Sequence, residues 1–204
     1  LRSPALLAKT AASLDAISNG RLELGVGLGW QEEEYEASGI AFDQRGKIFW
    51  ETLDICQSLW TGGPVSHKEE MFEFNDIWCH PKPPQGNDIP LLFGVKMTES
   101  NAQKIAKIGH GWIPIKTSRD FISEGSEKLN NAFKEAGRDD KPRIRGQLPT
   151  CVDSNGVPSV DLTLKELEKS MEAGLEEIEV FPINFAQSPD HLREVLELIG
   201  ELKK

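Results

Sequence analysis

Asn19-Gly20-Arg21-Leu22-Glu23-Leu24-Gly25-Val26-Gly27-Leu28-Gly29-Trp30 runs from a turn through a short apolar strand into a glycine-rich loop, and Gln31-Glu32-Glu33-Glu34 follows. Leu22, Leu24 and Val26 alternate, the period of a strand with one covered face. Glycine lets backbone approach a flat or phosphorylated ligand, because no Cβ stands in the way. At the carboxyl end of a strand such a loop lies where α/β proteins hold ligands. Taken alone, Gly25, Gly27 and Gly29 are a weak dinucleotide signal. The dinucleotide fingerprint needs its third glycine where Trp30 stands, so that reading fails on spacing. A tight strand-to-helix turn with no ligand is the plain alternative.

Outward from this stretch, strand and helix alternate. Ser3-Pro4 reads as an N-cap with proline at the first helical position, and Leu7, Ala11 and Leu14 recur at helical spacing up to Asn19-Gly20. Asp43 is expected to cap a long helix carrying Ile48, Leu53 and Leu59, which stops at Thr61-Gly62-Gly63-Pro64. Residues 65–88 have no helical period; Phe72, Phe74 and Ile77 suggest a hairpin excursion. Further strands are expected at Ile89–Gly94, Gly111–Ile115, Ile144–Val152 and Glu177–Pro182. The helices between them start at Thr98, at Asp120 and at a capping box, Thr163-Leu164-Lys165-Glu166. Ser188-Pro189 opens a last helix with Leu192, Val195, Leu196, Ile199 and Leu202. Such alternation implies a parallel sheet, and an open Rossmann-like sheet and a TIM barrel both fit it. A barrel has eight strands in about 250 residues. A barrel reading of these 204 residues leaves it without three strands and two helices. The start on Leu1 rather than Met, close to a helix, is expected to reflect truncation, with processing or trimming as the alternatives.

Composition narrows the class. A net charge of −10 argues against nucleic acid, which is bound through basic patches. No apolar run reaches the ~20 residues of a membrane helix, and no signal peptide is readable. Cys56, Cys79 and Cys151 are odd in number and widely spaced, and His67, His80, His110 and His191 are dispersed, so neither a disulfide framework nor a metal site is expected. A reducing cytoplasm is the natural setting.

A longer ordered pattern resembles one family. Ser13-Leu14-Asp15, Ser18-Asn19-Gly20-Arg21-Leu22, Gly25-Val26-Gly27-Leu28-Gly29-Trp30, Glu33, Phe42-Asp43-Gln44-Arg45-Gly46, Glu51 and Leu59-Trp60 follow one another as in the luciferase-like flavin-dependent oxidoreductases. Gly94, Thr98, Asn101, Ile105-Ala106, Gly109 and Gly111-Trp112 continue the likeness. The resemblance implies an α/β fold, a TIM (β/α)8 barrel present as an N-terminally truncated partial barrel of five βα units, with residues 1–204 as one domain and 65–88 as an excursion. It also implies hydride transfer or oxygen activation on a small organic substrate with FMN or the deazaflavin coenzyme F-420, and a homodimer at full length. The proton-transfer residue is expected upstream of Leu1. His110 departs from the family's usual Asp before Gly-Trp, at the stability end of its strand.

The same resemblance places Gly27, Leu28 and Gly29 along the isoalloxazine edge. Trp30 either stacks on a ligand or plugs the barrel mouth. Gln31 and Glu33 are candidates for the flavin pyrimidine, although Glu32, Glu33 and Glu34 also suit the positive end of a helix dipole. Gly94, Lys96 and Thr98 form a strand-end loop suited to a phosphate, as does Lys116 beside Thr117 and Ser118, since helix N-termini attract anions. Arg45 and Glu51 are expected to form a helix-surface ion pair. Two other functions fit the same loops. One is a non-catalytic flavin-binding or partner subunit. The other is a TIM-like enzyme acting on a phosphorylated metabolite without flavin.

Overall fold

The computed structural model describes residues 1–147, 149–186 and 188–201. They form two compact units, Leu1–Leu92 and Phe93–Lys204. Leu202 of the last expected helix lies outside the described residues.

In the first unit, α1 (Pro4–Ser18) has Ser3 in extended geometry at its N-cap and left-handed Asn19 at its C-cap. Its buried stripe is Pro4, Ala8, Ala11, Ala12 and Asp15, while Leu14 is 49% exposed. Small side chains let α3 (Arg45–Trp60) approach closely: the Trp60 indole N–H donates to the Ala8 carbonyl at 2.9 Å, and Cys56 lies 3.6 Å from that of Pro4. Between them come β1 (Leu24–Gly27) and the one-and-a-half-turn α2 (Glu32–Ala37). Asp43 does not cap α3. It lies in a 3-10 turn, Phe42–Gln44, that feeds directly into the helix, and Gln44 takes the cap position without a side-chain bond. The excursion is an antiparallel hairpin, β2 (Val65–Lys68) with β3 (Glu73–Ile77).

The strand β4 (Leu91–Gly94) begins in the first unit, where the Leu24 N–H donates to the Pro90 carbonyl at 2.8 Å, and ends in the second. The second unit continues with α4 (Glu99–Ile108), β5 (Gly111–Trp112), α5 (Arg119–Glu135), β6 (Arg143–Gln147), α6 (Val160–Glu172), β7 (Glu177–Glu179) and α7 (Pro189–Glu201). Strand order is β1-β4, then β4-β5-β6-β7, with β5-β6 and β6-β7 parallel. Among the described residues the sheet has two ends and no closed barrel forms. No described helix is long and apolar enough to cross a membrane.

Several expected boundaries move: β5 ends at Trp112 and not at Ile115, β7 ends at Glu179 and not at Pro182, which opens a 3-10 turn, and two others shift further. The strand at Ile144 stops at Gln147, and Val152 instead makes an isolated bridge to Pro158. The helix expected to open at Thr163 begins at Val160, capped by the Ser159 hydroxyl accepting from the Leu162 N–H. Thr163 is then a buried residue on the second helical turn, and its hydroxyl accepts from the Cys151 N–H at 3.0 Å. A Ser cap four residues upstream won because it leaves Thr163 on the same helical face as Leu167 and Ser170, which are both buried.

The cysteines differ in reactivity. Burial pushes the Cys56 thiol up to about 12, and burial also raises Cys79. Cys151 is partly exposed. The thiolate is the reactive form. A thiol reagent should therefore modify Cys151 in the native protein and reach Cys56 and Cys79 only after denaturant unfolds the first unit. Native-state labelling of Cys56, read by peptide mass spectrometry, would contradict this packing.

Candidate functional site

Strand alternation sets the glycine loop. Leu24 and Val26 are half-buried, whereas Gly25 and Gly27 are exposed on the other face. That face presents bare backbone, as close approach of a flat ring requires. The chain then turns through Gly29 at φ +71°, a left-handed conformation that favours glycine. Tyr35, buried on α2, donates its hydroxyl to the Leu28 carbonyl and lies 3.7 Å from where a Gly29 Cβ would stand. Its ring meets Phe42 edge-on at 5.3 Å, and Arg45 lies over the Phe42 ring at 3.8 Å while donating to its carbonyl at 2.7 Å. A chain of three side chains thus pins the loop.

Beside it are a cavity of about 230 Å3, lined among others by Leu7, Val26, Ile40 and Phe49, and a shallower one of about 470 Å3 at Gly27, Leu28, Gly29 and Glu34. The structure therefore gathers three of the expected residues. Trp30 is 83% exposed, so it plugs nothing. Gln31 occupies the N-cap of α2 without a side-chain bond, and Glu33 is exposed on its first turn; neither lines these cavities.

Glu51 is also not part of a surface pair with Arg45. Six residues apart, the two cannot share a helix face. Glu51 is 7% exposed and accepts from the Phe72 N–H (2.8 Å), the Met71 N–H (3.1 Å) and, facing His67 Nε2, at 3.1 Å. It latches the β2-β3 hairpin to α3. Glu51, His67 and Glu69 each bring one ligand-type atom within 4.8 Å of the others, and Glu51 Oε1 already accepts from the Phe72 N–H.

In the second unit Gly94 ends β4, and the loop after it is fixed at two points. The Trp112 indole donates to the Val95 carbonyl at 2.9 Å, and the Asn101 side-chain amide donates to the Lys96 carbonyl at 2.9 Å. The Thr98 hydroxyl caps α4, accepting from the Asn101 N–H at 3.2 Å. Lys96 and Thr98 share a cleft of about 470 Å3 with Glu99, Glu124 and Lys128. Glu124 is held below the usual carboxylate range by a hydrogen bond from Lys128. Lys116 lies in another cleft, of about 330 Å3, at the carboxyl ends of β5, β6 and β7. Both expected phosphate lysines therefore share their clefts with carboxylates.

Reading the sequence missed Tyr35, which holds the glycine loop, and the Arg143–Glu177–Arg145 cluster on β6 and β7. Only the last left a signal, the alternation Arg143-x-Arg145-x-Gln147 and Glu177-x-Glu179, one charged face on two neighbouring strands.

A family model described as luciferase-like monooxygenase matches residues 1–157. An uncharacterized protein of Mycobacterium tuberculosis is 38% identical over 142 residues, 69% of this chain and 49% of the relative, so the chain spans about half the length of the curated relatives it matches. Two solved structures share the fold. The coenzyme F-420 dependent tetrahydromethanopterin reductase of Methanopyrus kandleri superposes with a TM-score of 0.71 at 16% identity, over 95% of this chain and 77% of that one. A type II Baeyer–Villiger monooxygenase of Pseudomonas putida, solved in complex with FMN, gives 0.60 at 19% identity, over 74% of this chain and 46% of that one.

Proposed function

The chain belongs to the luciferase-like monooxygenase family, and from that we propose an oxidoreductase that uses FMN or the deazaflavin coenzyme F-420 on a small organic substrate. The bound ring would supply hydride transfer or oxygen activation. The observation that carries the reading is the exposed, Cβ-free edge at Gly25, Gly27 and left-handed Gly29, pinned from behind by Tyr35. A planar ring can lie against that backbone, and Leu28 adds apolar contact beside it. Gln31 and Glu33, next along the chain, are the proposed polar contacts to the ring's pyrimidine edge, with Trp30 free to fold over it. Gly94, Lys96 and Thr98 are the proposed contacts for the cofactor's phosphate end, by the free N–H groups at the start of α4. Lys116 is left out of this set because its cleft takes in no helix N-terminus, whereas Lys96 lies beside the start of α4.

The test is a titration of the full chain with FMN and with coenzyme F-420, followed by fluorescence quenching and then by donor-dependent reduction. Gly29→Val should weaken binding about tenfold or more, because a β-branched residue is strained at positive φ and its side chain would press on Tyr35, which holds the loop in place. Binding without turnover would favour a non-catalytic flavin-binding subunit. Binding of neither cofactor would overturn the proposal.

A further inference from the structure

One face of β6 and β7 carries Arg143, Arg145, Gln147, Glu177 and Glu179, because Ile144 and Gly146 are buried on the opposite face. Glu177 is bracketed by two guanidinium groups, accepting from Arg143 Nε at 2.5 Å and from Arg145 Nε at 2.6 Å. Two residues further along the same strands stand Gln147 and Glu179. With Lys116, Thr117 and Thr150 they line the cleft at the strand ends. Among the described residues, Lys116, Gln147 and Glu179 make no hydrogen bond or ion pair with another side chain.

The loops around this cleft are held in place from beneath. Ser170, fully buried on α6, donates its hydroxyl to the Thr117 carbonyl, which fixes the Lys116–Thr117 turn after β5. Seven residues earlier on the same helical face, buried Thr163 accepts from the Cys151 N–H and fixes the loop that carries Thr150. Gly146 completes the packing: a Cβ there would stand 2.7 Å from Thr117 Cγ2 and from Leu175 Cδ1. Rigid loops presenting unpaired polar groups are what a binding site requires, since the groups need not be ordered when the ligand arrives.

We propose that this cleft is a binding site for a small, net-neutral polar molecule of the amide or zwitterion type. Its carbonyl or carboxylate oxygen would face Lys116, and its N–H or ammonium group would face Glu179. The charges decide the class. Lysine only donates, ionised glutamate only accepts, and Gln147 does both, so the three together match a group with both an acceptor and a donor. One positive and one negative charge cancel, which disfavours a phosphate or any ligand of single sign. The volume, about 330 Å3, lies at the lower end of the ~300–1,000 Å3 of small-molecule pockets. The proposal goes beyond the flavin reading and does not depend on it.

Saturation-transfer NMR on the full chain without flavin tests it. Glycylglycine serves as the net-neutral probe, and acetate and ethylammonium as the single-sign probes. Glycylglycine should bind in preference to both. Glu179→Gln and Lys116→Met should each weaken its binding about tenfold, the loss expected for one charge-assisted hydrogen bond, while thermal melts stay unchanged. The proposal is overturned by an equal signal in the variants, by equal or stronger binding of acetate or ethylammonium, or by no glycylglycine signal from the folded chain. Because no flavin is present, none of these results bears on the cofactor titration.

Discussion

Asp15→Ala is expected to destabilise the first unit by about 3 kcal/mol, the cost of stranding several buried donors at once. Asp15 is 0% exposed at the end of α1. Its carboxylate accepts from the Leu22 N–H at 3.2 Å, from the Gln85 N–H at 3.0 Å and from the Gln85 side-chain amide at 2.8 Å. That amide also donates to the Leu22 carbonyl at 2.9 Å, so one carboxylate joins the helix end, the approach to β1 and the turn before β4. Alanine removes every acceptor and fills none of the space. Thermal unfolding should fall by about 10 °C for a chain of this size. Hydrogen exchange at the Leu22 and Gln85 amides should speed up more than exchange in the interior of α3. Asp15→Asn keeps one acceptor oxygen but turns N–H donors toward donors, so an intermediate loss is expected. Unchanged melting in Asp15→Ala would show that water replaces the carboxylate at no cost.

The second large effect is a coupled one in the second unit. Trp112 is 1% exposed, and Gly125 in the middle of α5 makes room for its ring: a Cβ at Gly125 would lie 2.2 Å from Trp112 Cζ3 and Cη2. Gly to Ala within a helix is ordinarily stabilising by about 1 kcal/mol. Here overpacking should reverse the sign, with Gly125→Ala costing about 2 kcal/mol. Trp112→Ala should cost about 3–5 kcal/mol, because it opens a cavity and leaves the Val95 carbonyl without its indole donor. In the Trp112→Ala background, Gly125→Ala should cost nothing or stabilise. Denaturant melts of the four proteins measure this coupling directly. Additive losses would mean that the ring and the glycine do not compete for the same space.

The Trp112 contact also bears on the candidate site. Its indole holds the Val95 carbonyl at the base of the Lys96–Thr98 loop, so a core substitution should loosen a strand-end loop. Loop and core are one packing unit here. The same holds on α6, where Thr163 and Ser170 spend buried hydroxyls on the backbone of two cleft loops.

The order of elements and the glycine loop could be read from the chain because their causes are local. Alternation at Leu22, Leu24 and Val26, the Ser3-Pro4 and Thr98 caps and the stop at Asn19-Gly20 depend on neighbours within a few residues. The same local rules misplaced the start of the helix at Thr163, because two plausible caps four residues apart, Ser159 and Thr163, are settled by which face packs and not by propensity. They also missed what Asp15 and Glu51 do. A carboxylate three or four residues from its helical neighbours looks like a solvated group until the chain returns 70 residues later with Gln85, or 20 later with the Met71 amide. The primary structure by itself determined the βα alternation, the family and the bare backbone at Gly27–Gly29. Only the tertiary structure decided which polar groups are buried, which loops are tied down, and that Lys116 shares a cleft with Glu179, because those facts rest on contacts between residues far apart in the chain.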